Sequence, residues 1–140
     1  MTGTRKVLIV GMALTLWNAM GLFAFLHDFT MTPADIAKLP ANAAGMILMM
    51  PGWEWAVYGI GTCAGLLAAV AMVARRAWAE PLSLISLVAV LIQFGNMFLT
   101  RYAVVRTAPG AIGFAALITI IAAMQFGFAR QWRKAGLLRA

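Results

Sequence analysis

The stretch His27–Trp55, HDFTMTPADIAKLPANAAGMILMMPGWEW, decides the fold, because it cannot cross a membrane and nearly everything around it can. It carries three of the five prolines and three of the four acidic residues of the chain. Thr32-Pro33-Ala34-Asp35 reads as a helix start. It has a hydroxyl cap, a proline at the first helical position, where its missing N–H is not needed, and a carboxylate three residues after the cap. Pro40 ends that helix, and residues 42–50 can form a second short one, closed by Pro51-Gly52. Within it, Met46, Ile47, Leu48, Met49 and Met50 make a run too short to span a bilayer and too apolar to face water. Such a run belongs in the headgroup boundary, over the mouth of a helix bundle, or against a partner. Trp53, Trp55 and Tyr58 follow as an interfacial aromatic belt.

Working outward from this stretch, residues 7–26 carry no charge and are preceded by a short basic head. The apolar core of a signal peptide is only about 7–15 residues long and ends at a small-residue cleavage site. This run is longer, and AFLHDF offers no such site, so it reads as a retained first span. The other predicted spans are 53–74, 81–100 and 111–129, and 27–52 forms an outer loop. Each is close to the ~20 apolar residues that cross a ~30 Å hydrocarbon core. Together they account for all 140 residues as one membrane domain. The composition agrees, at 64% hydrophobic, 11% charged and a mean hydropathy of +0.90, where an ordinary globular chain is about a quarter charged. The expected fold class is all-α: an integral membrane four-helix bundle with short interfacial helices in its first outer loop.

The net charge of +7 does not point to nucleic acid, because the basic residues sit in small groups at the ends of apolar runs. There they act as topology signals. Eight of the eleven Lys and Arg lie in the head, the second loop and the tail, and three in the first and third loops. This bias predicts both termini in the cytoplasm and the proline-rich stretch outside. The tail RQWRKAGLLRA, with Trp132 among its cations, reads as an anchor on anionic lipid. Glu80 beside Arg75-Arg76 reads as a salt bridge within the turn. The single cysteine, Cys63, excludes an intramolecular disulfide and CxxC chemistry, and it reads as packing.

Polar residues inside the spans are the sharpest candidates. Asn18 lies in the first, Gln93 and Asn96 in the third with Ser83, Ser86 and Thr100 at helical spacing, and Gln125 in the fourth. Such groups usually face the bundle interior, either as hydrogen-bonding glue or as the lining of a polar path. Asn18, Gln93 and Asn96 are expected to converge between the first and third spans. Gly11, Thr15 and Ala19 in the first span, and Gly61, Gly65 and Ala69 in the second, form small-residue faces on which a helix can pack closely. Met46, Ile47, Met49, Met50, Trp53 and Trp55 form the expected outer interface. Asp28, Glu54 and Arg101 all fall near the outer surface, where an ion pair is expected. His27 is the only histidine and has no second strong ligand nearby. No catalytic, metal or cofactor residue is therefore expected, and no cofactor. No Asp, Glu, Lys or Arg lies deep in a span, which counts against a proton-driven pump.

Trp17-Asn18 and Gly21, Met31-Thr32-Pro33, Leu39-Pro40 and Pro51-x-Trp53 make a pattern that continues downstream. It runs on through Arg75-Arg76-x-Trp78-Ala79-x-Pro81-Leu82, Ser86-Leu87-x-Ala89-Val90 and Gln93. This pattern resembles a group of small bacterial inner-membrane proteins, sometimes loosely labelled sugar transporters, and the similarity covers most of the chain. The resemblance implies a four-helix bundle in the inner membrane and brings no catalytic residue with it. The expected function is non-enzymatic, acting through helix packing as an accessory subunit of a membrane complex or as a homo-oligomer in the lipid bilayer. The alternative is an oligomeric transporter or channel for a small polar solute, since four helices alone enclose little volume.

Overall fold

A computed structural model, which describes residues 2–140, shows an all-α bundle. Its elements are α1 (Gly3–Phe29), α2 (Pro33–Ile36), α3 (Ala41–Leu48), α4 (Gly52–Val73), α5 (Ala79–Thr100), α6 (Tyr102–Val105) and α7 (Ala111–Lys134). Four of these, α1, α4, α5 and α7, are long and apolar enough to cross a membrane. The chain is a multi-pass membrane protein by that measure. At 27 residues α1 is longer than expected: the basic head is already helical, with Thr2 accepting from the Arg5 N–H as its cap. Similarly, α7 runs on to Lys134, carrying Arg130 and Arg133 on the helix itself.

Helix α4 lies at the centre, packed against α1 on one side and α5 on the other, and α7 packs against α5. Its buried residues explain its position. Gly61, Ala64, Gly65, Ala68, Ala69 and Ala71 are small, whereas Ile60, Leu67 and Val70 point outward. Large side chains such as Leu16, Phe23, Leu91, Leu99, Phe114 and Ile120 are exposed on the other long helices. Lipid solvates these side chains as well as a protein core would, so close backbone approach through small residues holds the bundle together. Cys63 is on the outward face too, rather than packed within the bundle as its sequence context suggests.

α1 and α7 meet at the end that carries both termini. Val7, Leu14, Met72, Ala129, Trp132 and Leu138 form one buried cluster there. Trp132 is therefore a core residue stacked on Phe128 (centroids 5.3 Å apart), not a lipid anchor. The tail after α7 turns back through Gly136, whose φ of +71 suits glycine, and seats Leu138 in the core. At the opposite end, Phe25 and Phe29 of α1 interlock with Trp55 and Tyr58 of α4, at centroid separations of 5.0 to 6.5 Å. Two members of the expected aromatic belt thus tie helices together, and Trp53 stays half exposed.

Candidate functional site

Two polar layers cross the bundle. The first lies at mid-depth and draws on all four long helices. Asn18 Nδ2 donates to the Leu14 carbonyl of its own helix (2.7 Å) and to Gln125 Oε1 of α7 (2.8 Å). Gln125 Nε2 donates to the Gly65 carbonyl of α4 at 2.9 Å, and Ser86 Oγ of α5 donates to the Gly61 carbonyl at 2.8 Å. Gly65 makes this crossing available. A β-carbon there would collide with Asn18 Oδ1 and lie 2.9 Å from Ser86 Oγ. Apolar side chains around the layer deny its groups water, so each bond between helices replaces one that lipid cannot supply.

The second layer lies at the end opposite the termini. Glu54, in the first turn of α4, is fully buried, and Arg101, just after α5, is 3% exposed. Arg101 Nη1 and Nη2 donate to Glu54 Oε2 (2.8 Å) and Oε1 (2.5 Å), and Asn96 Nδ2 donates to Oε2 at 2.8 Å. This two-pronged geometry is the strong form of an ion pair. Arg101 Nε is buried without a partner among the described residues. The short helices lie at the same end, with α6 packed against α3 and α5. Asn42 Nδ2 donates to the Thr107 carbonyl (3.1 Å), and a β-carbon on Gly45 would lie 3.3 Å from Val104.

The sequence-predicted polar residues are thus regrouped. Asn18 joins Gln125, not Gln93 and Asn96, so the expected convergence between the first and third spans does not form. Asn96 belongs to the outer ion pair, and Gln93 is half-buried without a hydrogen bond among the described residues. Ser83 is buried with its hydroxyl unpaired among the described residues. Of the three residues expected in the outer ion pair, Glu54 and Arg101 meet, while Asp28 contacts His27 at 3.3 Å. Glu80 pairs with Arg133 of α7 at 2.9 Å rather than with the arginines of its own turn. The order of the helices separates these outcomes, because α4 and not α5 packs against α1, and apolar sequence on every face of the spans leaves that order unmarked.

The small-residue faces divide in the same way. Gly61, Gly65 and Ala69 are buried between α4 and its neighbours, with the Gly61 hydrogen facing the Ala89 methyl. Gly11 packs against Val73 of α4. Thr15 and Ala19 instead line an open apolar groove of about 370 Å³ between α1 and α4, with Met12, Leu16, Val70 and Val73. In the outer segment Met46, Ile47 and Met50 are half-buried, while Leu48, Met49 and Trp53 are exposed by half or more.

Sequence reasoning missed Ser86 as a hydrogen-bonding partner of α4 and missed the strap formed by the end of the chain. The Arg139 N–H donates to the Arg75 carbonyl and the Ala77 N–H to the Arg139 carbonyl, both at 2.7 Å. The sequence Ala-Gly-Leu-Leu after a basic helix end was the available signal, since glycine followed by a hydrophobic residue marks a chain reversal. Among the described residues no group of three or more His, Cys, Asp or Glu is placed to hold a metal ion. Comparison with protein-family models, curated proteins and solved structures finds no match for the chain.

Proposed function

We propose that this chain is a non-enzymatic protein of a bacterial inner membrane that acts through helix packing, as an accessory subunit of a membrane complex or as a homo-oligomer. The observation that carries this reading is the closure of the mid-depth polar layer. Asn18, Gln125 and Ser86 each donate to another helix, and such bonds hold helices together at about 0.6 kcal/mol each on average. The groove over Thr15 and Ala19 supports the same reading, because its small-residue floor admits the backbone of a neighbouring transmembrane helix. The resemblance to small bacterial inner-membrane proteins agrees in location, and the clustering of Lys and Arg on the face with both termini favours that face as cytoplasmic.

Extraction in mild detergent followed by native separation tests the proposal. A defined complex with another membrane protein, or a discrete self-oligomer, is expected. Replacing Ala19 with Phe, which fills the groove, should dissociate the assembly without unfolding the bundle. A chain that runs alone and conducts a polar solute when reconstituted would overturn the reading in favour of transport.

A further inference from the structure

We propose that the cleft between the α4–α5 turn and residues 137–140 binds a phosphate-bearing anion, either in a phospholipid headgroup or free in solution. The turn reverses through Arg75, whose φ of +56 makes it the one non-glycine residue with positive φ among those described. Its N–H donates to the Met72 carbonyl (3.0 Å) and that of Arg76 to Ala71 (2.8 Å), the hydrogen bonding that closes a helix through a left-handed residue. The same device ends α7, where the chain uses Gly136. At the α4–α5 turn an arginine takes the position that glycine occupies with less strain, and its side chain is put to use. Arg75 Nε donates to the Leu137 carbonyl at 3.0 Å, and Arg76 Nη1 to the main-chain oxygen of Ala140 at 3.3 Å. Together with the two main-chain bonds between this turn and Arg139, these contacts fix the strap over the turn.

The result is a cleft of about 280 Å³ lined by Ala74, Arg75, Arg76 and Arg139. Among the described residues none of the three arginines pairs with an Asp or Glu side chain. Glu80, the one acidic side chain on this face, is held by Arg133, and Arg76 spends one nitrogen on the main-chain oxygen of Ala140. Three like charges gathered from segments some sixty residues apart in sequence repel one another until an anion joins them. Arg75 and Arg76 each use one nitrogen to hold the strap and keep their other N–H groups for an acceptor. The Arg139 side chain makes no hydrogen bond among the described residues. A guanidinium fork matches phosphate oxygens, and a basic pocket at the end of a helix bundle is well placed for a lipid headgroup. This inference does not depend on what the bundle assembles with.

The test uses the full chain in phosphatidylcholine nanodiscs containing a minor fraction of phosphatidylglycerol, with retained lipids counted by native mass spectrometry. Phosphatidylglycerol should be retained about tenfold over phosphatidylcholine, as a few arginine–anion contacts near a membrane surface imply. The double variant R76Q/R139Q should lose that preference, whereas R5Q/K6Q, on the same face but outside the cleft, should keep it. R139Q alone preserves every main-chain bond of the strap and should lose part of the preference with unchanged thermal unfolding in lipid-free detergent. In a second arm, inorganic phosphate is added to the lipid-free protein. A rise in unfolding temperature that R76Q/R139Q abolishes assigns the cleft to a soluble anion, and lipid retention without that rise assigns it to a headgroup. No preference and no rise would overturn the proposal, as would equal losses in R5Q/K6Q and R76Q/R139Q.

Discussion

At Gly65, a hydrogen where other residues carry a β-carbon lets Asn18 and Ser86 both approach the α4 backbone. Gly65→Ala should therefore lower stability by about 1–3 kcal/mol, the usual cost of overpacking a fitted interior. Gly95→Ala and Gly113→Ala are the controls, because a β-carbon at either meets nothing within 4 Å. They should be neutral or stabilising by up to ~1 kcal/mol, since alanine is the better helix residue. Equilibrium unfolding in mixed detergent separates the two outcomes. Glu54 and Arg101 give a second contrast. Arg101→Leu leaves a buried carboxylate without its cation and should cost about 3–5 kcal/mol, while the double change Glu54→Leu/Arg101→Leu should recover most of that loss. Equal losses in the single and double variants would show that packing, not charge, dominates. These residues were legible in the sequence as polar or small positions within apolar runs. The pairing of Glu54 with Arg101 was legible too, from opposite charges near one surface. That of Asn18 with Gln125 and of Ser86 with Gly61 was not, because leucine and methionine serve equally against lipid and against protein, and so conceal which face of a span is inside.

At the scale of the element, the Thr32–Asp35 box is the clearest local signal and forms as its sequence implies. Thr32 Oγ1 accepts from the Asp35 N–H at 3.2 Å, and Asp35 Oδ2 accepts from the Thr32 hydroxyl (2.7 Å) and N–H (3.0 Å). These bonds, the one from the Thr32 side chain first, hold the Asp35 carboxyl below its ordinary value. A lowered folded value means that the contribution is complete above the ordinary pKa of about 3.9 and is lost as pH falls through the lower folded value. Protection of the Thr32 amide, measured against its intrinsic exchange rate at each pH, should thus be complete near neutrality and fall away on acidification below about pH 4. In Asp35→Asn that step should disappear, and its persistence would assign the pH response to another group. The end of the chain was harder to read, although it is equally local. Cations around Trp132 suggested a lipid anchor, yet Gly136 turns the chain so that Leu138 closes the core beneath Arg75. A motif contained within four residues can be read directly. One whose partner lies sixty residues away cannot.

For the whole molecule, hydropathy located the four long helices and alternation made them antiparallel, but neither determines which face of the membrane receives the termini. The bundle packs identically in either orientation, so the decision falls to charge. Arg5, Lys6, Arg75, Arg76, Arg130, Arg133, Lys134 and Arg139 lie at the end with the termini, and Lys38, Arg101 and Arg106 at the other. Arg101 is locked in its buried pair with Glu54, which leaves only Lys38 and Arg106 exposed there and sharpens the asymmetry beyond the sequence count. Basic residues close to span ends resist translocation, so the face with the termini should stay cytoplasmic. A reporter active only outside the cytoplasm should be silent when fused after Ala140 and active when inserted within residues 41–45. Replacing Arg75, Arg76, Arg130, Arg133 and Lys134 with Gln removes most of the bias and should produce a mixed population in which both fusions report. The unmodified chain reporting from Ala140 and not from residues 41–45 would refute the orientation. An unchanged pattern in the substituted chain would instead show that something other than these cations sets it.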